Sequence, residues 1–260
     1  MRKLVCFDMD MTLYDHQTLA IPESALQAVR KLQHDGHIVA VATGRDMDNE
    51  FSIHLAEIVQ PDAIVHCNGQ KVTVGNKVIR EAFLEYDLVE RLLDFAERKG
   101  YSVGVNIGPD GCFTHKERVI ERERRVFKMR KRDFLDPKRI LERPQYALTF
   151  FGTPEEAAEI EKAFPELKLP LFAAKEGADI IYRDSSKALG IEALLDYYGL
   201  GWQDVVAFGD SMNDVEMVKE AGLGIAMGNS VPALKEAADF VTRRIDEDGV
   251  VYGLQYAGLI

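Results

Sequence analysis

Residues able to do chemistry come in four short sets along this chain, each placed at the edge of an apolar or helical run. Asp8 and Asp10 stand two apart behind Leu4-Val5-Cys6-Phe7. Carboxylates that close repel unless something compensates, and a divalent cation held by oxygens is the natural compensator. A pair of polar caps at a strand end is the plain alternative. Gly209-Asp210-Ser211-Met212-Asn213-Asp214 follows a second apolar run, Val205-Val206-Ala207-Phe208. Gly209 allows a tight turn there, and Asp210 or Ser211 can cap the next helix. Capping accounts for one acidic residue, not for Asp210, Asn213 and Asp214 together. Asp8, Asp10, Asp210 and Asp214 resemble the oxygen-rich surroundings of a Mg²⁺ ion. Thr43-Gly44-Arg45 ends a third apolar run. Read as a helix start, it offers the Thr43 hydroxyl and the Gly44 N–H to an anion, or is an ordinary N-cap. Lys187, after Ser185-Ser186, enters a helix and is either solvated or the positive partner that a phosphate needs.

Side chains from such distant places meet only if the fold carries them together. Leu4–Phe7, Ile38–Ala42 and Val205–Phe208 are short continuous apolar runs, the pattern of strands buried on both faces. Residues 22–35 read as a helix, with Pro22 in the first turn, Ala25, Leu26, Val29 and Leu32 at helical spacing, and Gly36 as a stop. Another helical stretch and a strand near Ala63–His66 follow. Strands alternating with helices imply a parallel sheet with right-handed crossovers. Such sheets bind ligands outside the carboxyl ends of their strands, where the four sets stand. Lys71 to Arg80 reads as a β-hairpin around Gly75-Asn76.

The middle of the chain changes character, with helices at 87–99 and 154–164 and strands at 101–106, 146–151 and within 169–182. From Ser185 the alternation resumes: helix 186–198, strand 205–208, helix 213–221, strand 223–227, helix 231–237, a last strand near 239–242 and a helix at 249–258. The expected organisation is a discontinuous core, residues 1–82 and 183–260, with an inserted domain at 83–182. Both are of ordinary domain size.

Composition narrows the function classes. The chain has 260 residues, 47% of them hydrophobic and 29% charged. These are the proportions of a globular protein, not a disordered or fibrous one. Its net charge of −11 disfavours nucleic acid and anionic membrane surfaces as partners. No apolar run approaches a membrane span, and Asp8 interrupts the N-terminal run too early for a signal segment. Cys6, Cys67 and Cys112 are scattered and odd in number, which suits a reducing compartment. The expected location is the cytoplasm. Residues 116–132 form one basic stretch. It reads as a solvated helix with i,i+4 charge pairs, or as a surface that guides an anionic substrate. No aromatic platform for nucleic acid accompanies it. Oligomeric state is not legible.

Taken in order, Asp8-x-Asp10-x-Thr12, Thr43-Gly44-Arg45, Lys187 and Gly209-Asp210-x-x-Asn213-Asp214 resemble the four motifs of the haloacid dehalogenase-like (HAD) superfamily. Asn68-Gly69, Gly224-Ile225-Ala226-Met227-Gly228-Asn229, Ala238-Asp239-Phe240-Val241-Thr242 and Glu247-Asp248-Gly249-Val250 bring it closer to the Cof-type phosphatases, subclass IIB. The resemblance implies an α/β fold: a Rossmann-like, doubly wound parallel-sheet core with an inserted α/β cap. It implies a phosphatase that hydrolyses small phosphate esters such as sugar phosphates, nucleotides or cofactor phosphates, or alternatively a phosphotransferase or phosphomutase. Asp8 is then the nucleophile, forming an aspartyl-phosphate, and Asp10 the general acid and base. Asp8, the Asp10 backbone carbonyl and Asp210 hold Mg²⁺. The Met9 N–H, Thr43, Gly44, Lys187 and Asn213 hold the phosphoryl oxygens, and Asp214 stands behind them. Met11 and Ala188 occupy positions where the family usually has glycine. In the inserted segment, Asn106, His115 and Arg118 are the polar residues considered for contact with a leaving group.

Overall fold

A computed structural model describes residues 2–47, 49, 52–127, 132–172 and 174–260. The chain divides into two units, one made of the residues through Met47, Ser52–Glu81 and Ser185–Ile260, the other of Ala82–Asp184.

The first unit opens with β1 (Leu4–Phe7), α1 (Glu23–His34), β2 (Ile38–Ala42), α2 (Ile53–Val59), β3 (Ala63–His66), β4 (Lys71–Val74) and β5 (Lys77–Glu81). In the second unit come α3 (Tyr86–Lys99), β6 (Ser102–Ile107), β7 (Asp110–Phe113), α4 (Glu117–Phe127), β8 (Phe134–Leu135), β9 (Leu148–Phe151), α5 (Pro154–Ala163), β10 (Leu167–Lys168) and β11 (Gly177–Tyr182). The chain then returns with α6 (Lys187–Tyr198), β12 (Val205–Gly209), α7 (Val215–Glu220), β13 (Leu223–Ala226), α8 (Pro232–Ala237), β14 (Phe240–Val241) and α9 (Gly249–Tyr256).

The first unit holds an eight-stranded sheet in the order β14-β13-β12-β1-β2-β3-β4-β5. Strands β14 to β3 run parallel, while β4 and β5 form the expected antiparallel hairpin at the edge. The central strands are apolar throughout because helices cover both faces. Alternation sends Val5 and Phe7 into one core cluster with α1 and α9, and Leu4 and Cys6 into another with α6 and α7. Phe7 stacks on Phe208 across β1 and β12, ring centres 4.9 Å apart, just below the loops that carry the carboxylates. Ring pairs of this kind add about 0.5–1.5 kcal/mol beyond their buried area. Cys6, Cys67 and Cys112 are all buried.

The second unit has its own six-stranded sheet, ordered β10-β11-β9-β6-β7-β8 and antiparallel except for β7 with β8. Its core gathers Leu88, Leu92 and Ala96 of α3 with Val103, Phe150 and Ile180 of the strands.

Two local expectations differ. Residues 213–221 are not one helix, because a 3₁₀ turn at Met212–Asp214 precedes α7. Strand β7, Asp-Gly-Cys-Phe, was not legible: half of it lacks strand propensity, and pairing with β6 and β8 holds it in place.

Candidate active site

Strands β12, β1 and β2 are parallel neighbours, so their carboxyl ends share one edge. Asp210 follows β12, Asp8 follows β1 and Thr43 follows β2. The chain leaves β1 to one side for β2 and returns on the other side through α6 to β12, which makes β1 a switch point of the topology. Lys187 is the first residue of α6.

Asp8, Asp210, Asp214 and Lys187 are all buried. Lys187 Nζ donates to Asp8 Oδ1 and to Asp214 Oδ1, both at 2.6 Å. The other Asp214 oxygen accepts the N–H groups of Asp210 and Ser211, each at 2.9 Å. Ser211 is the N-cap residue of this turn, and Asp214 reaches back to its N–H. Gly209 has a different role from the tight turn expected of it. It lies within β12, and a Cβ there would sit 2.5 Å from the Asp214 Cβ; the missing side chain makes room for that carboxylate.

One lysine does not neutralise three carboxylates. Burial pushes the Asp8 carboxyl up to about 7, with Lys187 opposing and Asp214 and Asp10 adding to the rise. Burial and the neighbouring Asp8 and Asp214 push Asp210 up to about 9. For Lys187, burial works against the charge, but Asp214 and Asp8 prevail and hold it above its ordinary value. Asp8, Asp210 and Asp214 each offer an oxygen within 4.8 Å of the others. A compact all-oxygen donor set with surplus negative charge fits a hard divalent cation.

Asp10 belongs to a second group. Arg45 grips it with two bonds, Nε to Oδ2 at 2.7 Å and Nη2 to Oδ1 at 2.6 Å, and His16 Nε2 lies 2.6 Å from Oδ1. Burial alone would raise the Asp10 carboxyl; Arg45 and His16 outweigh it and hold the group well below the usual carboxylate range. His16 had no signal in the sequence. It reaches Asp10 because Met11 N–H donates to Tyr14 O at 2.8 Å and folds the loop back. Arg45 stood in a quoted motif without a role.

Thr43 is fully buried, and its hydroxyl accepts the Arg45 N–H at 3.1 Å. No helix starts there, since α2 begins at Ile53; the segment is a loop. Asn213 Nδ2 donates to Asn68 Oδ1 at 2.9 Å. Cys67, Asn68 and Gly69 all have positive φ, at 49°, 53° and 92°. Only glycine fits at Gly69, where a Cβ would lie 2.1 Å from the Ser186 carbonyl oxygen. This turn thus seats Asn68 against Asn213 and packs against the start of α6. Met9 is buried in the loop between Asp8 and Asp10. Met11 has φ 61°, a left-handed conformation that strains any side chain. Asn229 Nδ2, donating to the Met11 carbonyl at 2.8 Å, helps hold it there. Ala188 packs into the core beside β1 and β2.

The polar residues considered in the inserted unit are engaged locally. Arg118 pairs with Glu156 through two bonds of 2.6 and 2.9 Å, Asn106 accepts from Arg132 at 2.6 Å, and His115 Nε2 lies 2.9 Å from the Glu97 carbonyl oxygen.

A family model for haloacid dehalogenase-like hydrolases matches residues 5–254. The chain belongs to that family. It is 34% identical over 268 residues to the "Putative phosphatase YkrA" of Bacillus subtilis (strain 168), covering 99% of this chain and 98% of that one. It is 28% identical to 5-amino-6-(5-phospho-D-ribitylamino)uracil phosphatase YitU of the same organism, over 95% of this chain and 94% of the relative. Among solved structures, the HAD subclass IIB sugar phosphatase BT4131 superposes with a TM-score of 0.87 at 26% identity, over 99% of this chain and 100% of that one. This HAD-like hydrolase is therefore a Cof-type phosphatase, and enzymes of its superfamily use a divalent metal. No helix among the described residues is long and apolar enough to cross a membrane.

Proposed function

We propose that this HAD-like hydrolase is a Mg²⁺-dependent phosphatase of small phosphorylated metabolites, acting through an aspartyl-phosphate on Asp8. The observation that supports it best is the buried group of Asp8, Asp210, Asp214 and Lys187 at the carboxyl edge of three parallel strands. Asp8, Asp210 and the Asp10 carbonyl would hold the ion; Mg²⁺ supplies charge neutralisation that lets an anionic nucleophile approach an anionic ester.

The remaining work falls to side chains and backbone. Asp8 attacks phosphorus, the ester oxygen leaves, and water then cleaves the acyl-phosphate bond to free Asp8. Lys187, held between Asp8 and Asp214, is placed to turn toward a phosphoryl oxygen. Thr43, the Gly44 and Met9 N–H groups and Asn213 supply further donors, a positioning role. Asp10 gives the leaving oxygen a proton and takes one from water. Held by Arg45 and His16 it is a carboxylate, the form that receives a proton; donation requires Arg45 to release it.

A malachite-green assay over a panel of sugar, nucleotide and cofactor phosphates tests the reading. EDTA should abolish phosphate release and Mg²⁺ should restore it. Full activity in a demonstrably metal-free sample would overturn the metal assignment. Rapid quench with a ³²P-labelled substrate should trap label on the protein. Its absence under burst conditions would overturn the covalent step.

A further inference from the structure

Helix α4, the turn from β9 into α5 and the segment before β11 line an open cavity of about 350 Å³ within the inserted unit. Arg118, Arg122, Arg125, Lys175, Thr153 and Glu176 line it. The basic stretch expected at 116–132 lies in part outside the described residues; within the described part, Arg118 and Arg125 pair across the unit and not at i,i+4. Arg118 goes to Glu156 of α5, and Arg125 goes to Glu176 at 2.6 Å.

Arg122 is the exception. Its Nε is buried and has no hydrogen-bond partner. The Glu176 Oε2 atom lies 3.9 Å away and already accepts from Arg125. The guanidinium stands 5.0 Å from the centre of the Phe151 ring, which restrains its plane and leaves Nε without a hydrogen-bond partner. Burial pushes Arg122 below its ordinary value, and Glu176 and Glu123 do not restore it. Lys175, at the same cavity, is exposed and makes no carboxylate ion pair among the described residues. Glu121 is the other acidic lining residue and is exposed. A planar fork with a buried, unpartnered Nε and a second cation at the same cavity suits a doubly charged tetrahedral anion, whose oxygens can meet both.

We propose that Arg122 and Lys175 form a binding site for a phosphoryl group in the inserted unit. The inference rests on this unit alone and stands whether or not the Asp8 chemistry is as proposed. Phosphoryl groups come from two sources here, free phosphate and a phosphate ester, and the test separates them.

The full-length protein is labelled with ¹⁵N-arginine, freed of metal with EDTA, and followed through its Nε–Hε resonances. Arg122 is assigned by the peak lost in Arg122→Lys. Inorganic phosphate should move that peak along a saturating curve, with half-saturation in the millimolar range or below. Lys175→Ala, at an exposed position, should weaken the effect about three- to tenfold while thermal stability stays the same. Glycerol 2-phosphate, titrated in parallel, assigns the site to free phosphate if it is weaker and to an ester if it is stronger. Arg45 reports on the Asp8 region in the same spectra. The proposal fails if Arg45 shifts and Arg122 does not, or if sodium chloride at equal ionic strength moves Arg122 as much as phosphate.

Discussion

Asp8 and Asp10 are two residues apart, yet they sit in opposite electrostatic regions. Asp8 shares a buried compartment with two more carboxylates and one lysine, and its affinity for a proton is raised. Asp10, at the partly exposed rim, is held by a guanidinium and an imidazole, and its proton affinity is lowered. The difference shows how one short loop can give two carboxylates opposite proton affinities. The first region is built around an excess of negative charge that a cation can relieve; the second is already neutralised by the chain itself. Environments that push two acids apart are how a site assigns roles to identical groups.

The most direct way to break the first region is Asp8→Asn. It removes the attacking oxygen and one of the cation's oxygens while keeping the shape. The expected loss of kcat is at least ~1000-fold, about 4 kcal/mol of barrier. Steady-state kinetics on the best substrate checks it, and turnover within tenfold of the parent would exclude Asp8 as the nucleophile. Substitution of the buried cation comes next. Lys187→Met leaves Asp8 and Asp214 facing each other without compensation, which should destabilise the fold by about 3–5 kcal/mol. Arg45→Met breaks the rim pair, where water can replace the lost bonds, and should cost about 1–2 kcal/mol. Urea unfolding of both variants measures the difference, and equal losses would erase the contrast between the regions.

How much of this could be read beforehand follows the same division. Apolar runs ending at Asp8, Thr43 and Asp210 identified the strands, and parallel order then put their ends together. Asp8 directly follows β1 and Lys187 opens α6, so parallel order brings them toward one edge, while the place of Asp214 behind them was expected from the family resemblance. The rim was not legible in the same way. His16 meets Asp10 through a loop closed by Met11 and Tyr14, and no spacing rule describes such a loop. Gly209 was legible as a glycine but not for its reason, since its neighbour Asp214 is visible only in three dimensions. In α4 the charges were plain, but their partners lie far along the chain, Glu156 in α5 and Glu176 in the segment before β11.

Proton linkage sharpens the comparison without mutation. In the unfolded chain Asp8 and Asp210 return to ordinary carboxylate values near 4. In the metal-free native protein they lie at about 7 and about 9. Between roughly pH 4 and 9 the native state therefore binds more protons than the unfolded state, and stability must fall as pH rises. Asp10 acts in the opposite sense: its contribution is present above pH 4 and is lost as pH falls through its depressed native value. With EDTA, melting temperature should drop by several degrees from pH 5.5 to 8.5, at about 2–4 °C per kcal/mol. Mg²⁺ should flatten the slope by taking the place of the bound protons. A metal-free melting temperature that rises over this interval would mean that the compartment is not overcharged as described.

The smallest expected effect concerns the hinge between the two regions. Met11 immediately follows Asp10 and has φ 61°. A non-glycine residue in this conformation costs about 1–2 kcal/mol relative to a relaxed one. Glycine removes that strain but makes the unfolded chain more flexible, at a cost of about 0.5–1 kcal/mol. Met11→Gly also gives up the packing of its half-buried side chain against the Val5 and Phe7 core. These terms nearly cancel, so the melting temperature should move by no more than a few degrees. Activity is the more telling measurement. If Met11 only fills space, kcat and KM stay within about twofold on every substrate. If its side chain shapes the entrance beside Asp10, KM changes unequally among substrates while the proposed dependence on Mg²⁺ is unaltered. A loss of kcat common to all substrates would instead mean that the left-handed turn, held by Tyr14 and Asn229, depends on the methionine to keep Asp10 in its grip with Arg45.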